Sequence, residues 1–545
     1  MACTAQNRYM FVEYSAPAPP VKGQKKRRGG PSEVRAHITK EFHRRLRVKR
    51  LDALKGTVPL PERPKVANPT IEQEDEEQDW KHSGTRSPSI HTRPASPNKN
   101  IPPELYLSRR LRTVLGEGRM DPFDVLPAHR MPLFIHMVLD HALAHSWPNT
   151  VPTRSPAVMN PVKSAWLKCA MEWPVAFHAF IYATTLHLLC AYNGRELIDS
   201  APVLRLSHKV ETIKLVNEQL HNLNGLPSDA LIMAVTILAI HGTRDATAYP
   251  QIHPASPMAE AQNLHVYGNM VNEEEHVPAI LWLIMQKGGL DGIELYGMAD
   301  TMALCDLYFA SKYAYRPTFP LRRPHQSLVV TGKHLLDAPA IELDSKLGRG
   351  FRYFRSTPAG RELLDVLESF CEVTTALDHY YRGGPTAPEL IDLIEARNSS
   401  QHRLLSQIPA ELDLSDLEMC LHQAIRLAAL IFSDMVLFPL PEAQQVKQRL
   451  APMLRQTLEA CRFLQSWELN AQVLVWALVL GGIATSFSNG QVWFIDQLLQ
   501  QLSALQVLEW STLESICSKF LWWKPVCSEP GQRLWKEMFP PTHDT

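Results

Sequence analysis

The run Leu231–Ile240 constrains this chain more than any other stretch, because Thr236 is its only polar member. A helix that is apolar on every side is buried on every side. It is also too short for a bilayer, which takes roughly 20 apolar residues, so its surroundings must be other helices of the same chain. Just upstream, Val203, Leu206, Val210, Ile213, Val216 and Leu220 recur at three and four residues. That spacing predicts an amphipathic helix with this stripe turned to the core. Asn224-Gly225 stops it, and Ser228 is placed to cap the next helix by accepting from a free backbone N–H.

The same logic extends over 101–540. Helical patterns run at about 130–146, 160–193, 203–221, 228–242, 258–286 with a break or kink at Pro278, and 291–313. They resume at about 359–379, 386–406, 412–435, 442–466, 469–484, 490–505, 508–523 and 530–538, with 317–350 reading as loop. Gly288-Gly289 is a helix stop, and Val473–Ala484 is a buried helix whose Gly481-Gly482 suit close packing. No alternating runs flanked by Asn-Gly or Asp-Gly announce hairpins. The fold class expected is all-α, a large multi-helix domain.

Ahead of it the composition changes twice. Residues 1–57 form a basic arm. Between 21 and 55, thirteen Lys/Arg face only Glu33, Glu41 and Asp52, a surplus of ten in a chain of zero formal net charge. Lys25-Lys26-Arg27-Arg28 reads as an import signal, as a phosphate-binding patch, or as a solvated charge run. Ser32 can cap a short helix striped by Val34, Ile38, Phe42 and Leu46, whose other faces hold Arg44, Arg45, Arg47, Lys49 and Arg50. Residues 58–100, with their prolines, the acidic run Glu72–Glu77, Ser87-Pro88 and Ser96-Pro97, are expected to be a disordered linker.

Chemistry-bearing motifs are scarce. There is no G-x-x-x-x-G-K-[ST] loop and no G-x-S-x-G elbow. His136, Asp140, His141 and His145 share one helical segment but lack the Glu of H-E-x-x-H, so ordinary partly buried histidines are the better reading. His241 closes the apolar helix as a cap or loop contact. The nine cysteines form no C-x-x-C pair and mostly sit in apolar helical patterns, as free buried thiols of a reducing compartment do. Met1–Tyr14 has neither a basic start nor an apolar run, so no secretory signal is expected there. The expectations are therefore no catalytic set, no metal, no cofactor and no membrane partner; the chain is read as a non-enzyme.

Several stretches, in order, resemble the fungal-specific transcription-factor domain family. They are Phe11-Val12, Val34-Arg35-Ala36-His37 and His43-Arg44-Arg45-Leu46-Arg47 in the arm, then Gly118 to Phe123, and Lys209 to Leu220 with Ser228-Asp229-Ala230 and Ala234-Val235. The resemblance continues through His276 to Leu290, Leu474 to Ala484 with Trp493, Phe520-Leu521-Trp522-Trp523, Cys527 and Leu534-Trp535. It implies an all-helical regulatory or dimerising module in a regulator of transcription located in the nucleus. Its partners would be DNA through the arm, an import receptor, and other regulators or itself. The family's six-cysteine zinc cluster is missing, since only Cys3 precedes Cys169. Zinc-dependent DNA reading therefore falls on no residue here. The alternative is an interaction protein that bridges or sequesters other regulators without touching DNA.

Overall fold

The computed structural model describes residues 133–154, 160–192, 201–242, 250–356, 358–408, 414–463 and 470–540. The arm, the linker and all nine basic residues singled out above, Lys25 to Arg28, Arg44, Arg45, Arg47, Lys49 and Arg50, lie outside them. The described residues are helices joined by turns, with one isolated bridge, Gly242 to Val271, in place of a strand.

They bury two hydrophobic cores, each built around helices with almost no exposed face. The first core begins with α1, Leu133–His141, which runs through a wide turn, Ala142–Ser146, into α2, Trp147–Thr150. Then come α3, Pro161–Glu172, α4, Pro174–Ala191, α5, Ala201–His221, and α6, Asp229–Ile240. The central expectation holds: every residue of α6 from Ala230 to Ala239 is buried, and Ser228 Oγ accepts the Leu231 N–H at 3.2 Å. Thr236 is accommodated by donating to Ile232 O at 2.8 Å. α4 has the length and apolar content of a membrane-crossing helix, yet 67% of it is buried inside the body.

Three local expectations are corrected. The stretch 160–193 is two helices, because Trp173 precedes Pro174 and adopts an extended conformation (φ −123°, ψ 107°); the proline ring disfavours a helical residue before it. The stretch 258–286 is broken at Pro278, as expected, but is interrupted earlier as well. Gln262 and Asn263 are left-handed at φ 55° and 57°, so only α7, Leu264–Tyr267, and α8, Val277–Gln286, are α-helical there, and Pro278 starts α8 rather than bending it. Finally, the α5 stripe does not face the core at its start: Val203, Leu206 and Val210 are exposed, at 69%, 54% and 64%, and Ile213 at 37%. A helix turns about 100° per residue, so a stripe of threes and fours drifts, and Val216 lies about 140° around the axis from Val203. The inward side instead carries His208, whose ring nitrogen is 2.9 Å from that of His178, and the fully buried Thr212, which donates to His208 O.

α9, Met298–Tyr313, joins the two cores: Met298, Ala299 and Met302 belong to the first, and Leu304, Leu307 and Ala310 to the second. The second core then takes α10, Ala338–Lys346, which lies within the stretch expected to be loop, capped by Asp337 accepting from Ala340 N. It continues with α11, Pro358–Arg382, α12, Leu390–Ser406, α13, Leu417–Met435, and α14, Val446–Phe463. α15, Ala471–Ala484, α16, Gln491–Ala504, α17, Trp510–Cys517, and α18, Lys524–Met538, complete it. α15 is the counterpart of α6, buried from Val473 to Ala484. Its glycine at 481 is a packing requirement, since a Cβ there would meet the Phe494 ring at 2.1 Å. Trp476, fully buried on α15, donates to Leu521 O at 2.9 Å and packs edge-on to Phe351. Ion pairing also reaches this core: Lys447 Nζ lies 2.9 Å from Asp434 Oδ2 and 3.1 Å from Glu442 Oε1, with Lys447 and Asp434 buried and Glu442 partly exposed.

Candidate functional site

The seam between the two cores contains a cavity of about 80 Å³. One face of α9, Thr301, Leu304, Cys305, Tyr308 and Lys312, recurring at three and four residues, forms one wall. The opposite walls come from α2, α3, α4 and α6, where Trp147, Trp166 and Phe180 pack with ring centroids 5.1–5.7 Å apart. Most of the lining is apolar, as in small-molecule sites generally.

Its polar groups include Tyr267, His241, Cys305 and Gln444. Tyr267 Oη lies 3.4 Å from Thr150 Oγ1 and 3.5 Å from Ser146 Oγ. His241, at the end of α6, places Nδ1 2.9 Å from Ile237 O. A carbonyl only accepts, so Nδ1 carries the proton and Nε2 is a lone pair. Burial holds the His241 pKa down, to about 4, so the ring is neutral at physiological pH. Gln444 donates its amide N–H groups to Gly268 O and to Met270 O at 3.2 Å, which fixes its Oε1 as an acceptor. Burial first, and Asp306 second, push the Cys305 thiol up to about 12, so it stays protonated. What this arrangement can do is hold a small molecule by shape and hydrogen bonds.

A second, larger cleft of about 390 Å³ opens between α9, α12 and the segment 319–333. Its rim is charged but balanced. Arg322 Nε is 3.1 Å from Asp300, Lys333 is 3.0 Å from Asp392 and 3.4 Å from Glu395, and Arg323 also pairs with Glu395. His402 Nε2 donates to Phe319 O at 2.9 Å, tying the segment down. Arg397, on the same helix, is buried over the Phe438 ring at 5.0 Å and bonds only neutral oxygens, those of Gln262 and Asn398. Burial lowers its pKa to about 10, which still leaves it charged.

On the first helix, His141 Nε2 lies 2.9 Å from His187 Nδ1. Among the described residues no group of three or more His, Cys, Asp or Glu is arranged to hold a metal ion. Six of the eight described cysteines are buried. Sequence patterning singles out Thr236 and His241 among the cavity's polar groups, but neither Tyr308 nor Gln444. Their partners are remote in the chain, and the only local signal is the three-and-four recurrence along α9. No family model, curated protein or solved structure matches this chain.

Proposed function

We propose that this chain is a nuclear regulator of transcription in a fungus, with a basic arm for import and DNA phosphate contacts and a helical body that takes a small effector or a protein partner. The observation that carries the body's role is the cavity at the seam of the two cores. A ligand there touches helices of both cores at once, and differential contact of that kind is what lets binding bias one arrangement of a protein over another. Two features of the sequence support the transcriptional part: the ordered resemblance to the fungal transcription-factor domain, and the surplus of ten positive charges within 21–55, suited to a polyanion. The test is to fuse the full chain to a foreign DNA-binding domain upstream of a reporter. A regulator changes reporter output; an expressed, nuclear fusion that leaves the reporter unchanged sinks the reading.

The exposed α5 stripe favours a second reading, an interaction protein that bridges or sequesters other regulators without touching DNA. Val203, Leu206 and Val210 form an apolar row on the outside of the body, the kind of surface helix partners cover. Under that reading, Leu206→Asp with Val210→Asp abolishes partner binding, and removing the arm's charges does not.

A further inference from the structure

Arg397 is a buried charge without a counter-charge. It is 1% exposed and bonds only the amide oxygens of Gln262 and Asn398. The Phe438 ring, 5.0 Å away, offers a π face, and Tyr308, a titratable group that acts on the guanidinium, is kept protonated by burial. Buried charges are almost always paired, because leaving water is costly for an ion. Arg426 is buried in the same core on similar terms, bonding Gln423 Oε1 at 2.9 Å. What sets Arg397 apart is its partners. Gln262 and Asn398 both line the cleft of about 390 Å³ between α9, α12 and the segment 319–333, and Gln423 does not.

The hydrogen bonds decide what those two amides can still give. Asn398 Oδ1 accepts from Arg397 Nε at 3.0 Å and from Nη2 at 2.9 Å. Gln262 Oε1 accepts from Arg397 Nη2 and from Asn398 Nδ2, the latter at 2.9 Å. An amide oxygen has two lone pairs, so both oxygens are filled and each amide offers a ligand only N–H. One proton of Asn398 Nδ2 goes to Gln262, and one of Gln262 Nε2 goes to Thr150 O at 3.5 Å, which leaves each nitrogen one to give. Both amides are polarised by the guanidinium behind them, so the group that suits them is an acceptor carrying negative charge.

The rest of the cleft limits that group to a single charge. Arg322, Arg323 and Lys333 are matched by Asp300, Asp392 and Glu395 in ion pairs, which leaves Arg397 as the unmatched charge. A polyanion would press its further charges on those carboxylates. Leu304, Leu307, Phe319 and Ile394 give the cleft an apolar side. Its volume, about 390 Å³, falls within the ~300–1,000 Å³ of small-molecule sites.

We infer that this cleft binds an organic monocarboxylate with an apolar body, its carboxylate accepting from Asn398 Nδ2 and Gln262 Nε2 with Arg397 behind them as the balancing charge. This deepens the effector half of the proposed function and rests on it for biological meaning. The binding itself is measured on purified protein and stands apart from any reporter.

The experiment is calorimetry and thermal-shift titration of the full chain with phenylbutyrate, phenylbutanol and pyrophosphate. Phenylbutyrate is expected to bind and raise the melting temperature. Phenylbutanol, which keeps the apolar body and lacks the charge, is expected to bind about 10- to 100-fold more weakly, the worth of hydrogen bonding to a charged group. Pyrophosphate is expected not to bind. Arg397→Met exchanges an unpaired buried charge for an apolar side chain of similar length, a change that folded proteins tolerate. Its affinity for phenylbutyrate falls to that for phenylbutanol, which is itself unchanged. Asn398→Ala, at a partly exposed position, weakens phenylbutyrate and leaves phenylbutanol as it was, and it carries the test if Arg397→Met does not fold. Phenylbutanol or pyrophosphate binding as tightly as phenylbutyrate, no binding of phenylbutyrate at millimolar concentration, or a folded variant that keeps the full preference for the carboxylate overturns the inference. Phenylbutyrate binding together with a silent reporter fusion would instead overturn the regulatory reading and leave the site in place.

Discussion

Replacing Lys447 by Met tests how the second core tolerates charge. Lys447 is 1% exposed, and its ammonium lies 2.9 Å from Asp434 and 3.1 Å from Glu442. Burial pulls its pKa down, but the two carboxylates more than offset this, so the shift is upward and the ammonium stays charged. Asp434 is pushed above the usual carboxylate range by burial, despite the Lys447 charge and the Leu440 N–H that it accepts at 3.2 Å. His253, 3.6 Å from Glu442, is held down to about 3 by burial and then by the Lys447 charge. Lys447→Met therefore leaves the buried Asp434 carboxylate with no counter-ion. Breaking a buried pair this way costs about 3–5 kcal/mol, a large part of the roughly 5–15 kcal/mol that holds a domain folded. A carboxyl whose folded pKa is raised contributes stability below the ordinary carboxylate range and loses it as pH rises through the folded value. Without the ammonium, Asp434 rises further, so the variant's deficit is greatest at neutral pH and narrows as Asp434 takes up a proton. The assay is urea denaturation of wild type and variant at neutral pH and at about pH 5. Adding Asp434→Asn to the variant is expected to restore part of the loss, because the two sites are coupled. Wild-type stability in Lys447→Met, or a deficit that widens on acidification, would refute the reasoning.

Other outcomes follow from the same geometry. Val235→Asp places an unpaired charge where exposure is 2% and should unfold the first core, whereas Val210→Asp, at 64% exposure, should change stability by no more than about 0.5 kcal/mol; thermal melts of the two variants check both. Gly481→Ala forces a methyl against the Phe494 ring and should cost about 1–3 kcal/mol by overpacking, read in the same melts. Under the proposed function, alanine at Lys25, Lys26, Arg27 and Arg28 leaves the protein cytoplasmic, and fluorescence microscopy of a tagged variant that still accumulates in the nucleus would remove the import role.

What was legible in the sequence is what local pattern controls. α6 and α15 are apolar on every side, which admits only a buried helix, and Ser228, Gly288 and Gly289 act on their immediate neighbours. The α5 stripe misled because threes and fours define a row of side chains, while the tertiary partner decides which row is covered. Here α4 offered His178 to His208, and Thr212 satisfied its own hydroxyl, so the covered row mixes these two with Leu204, Leu215, Val216 and Leu220. The interruption at 262–263 was missed for a different reason: Gln262 and Asn263 take left-handed backbone that no glycine announces, while Asn263 Nδ2 donates to Ser146 O at 3.1 Å. The cavity was invisible because its lining is drawn from segments far apart in the chain. Tyr308, His241 and Gln444 are remote along the chain, and only the packing of α9 between the cores brings them to one space.

The most direct measurement of the central claim is DNA binding by the purified full chain, titrated across salt, beside a variant with alanine at Arg44, Arg45, Arg47, Lys49 and Arg50. A regulator that grips DNA through its arm binds with an affinity that falls steeply as salt rises, with a log–log slope of about −0.9 per phosphate neutralised. The variant then binds more weakly and with a shallower slope. Equal binding by both proteins, or none by either, contradicts the account and moves the weight to a protein that works through partners on its helical body.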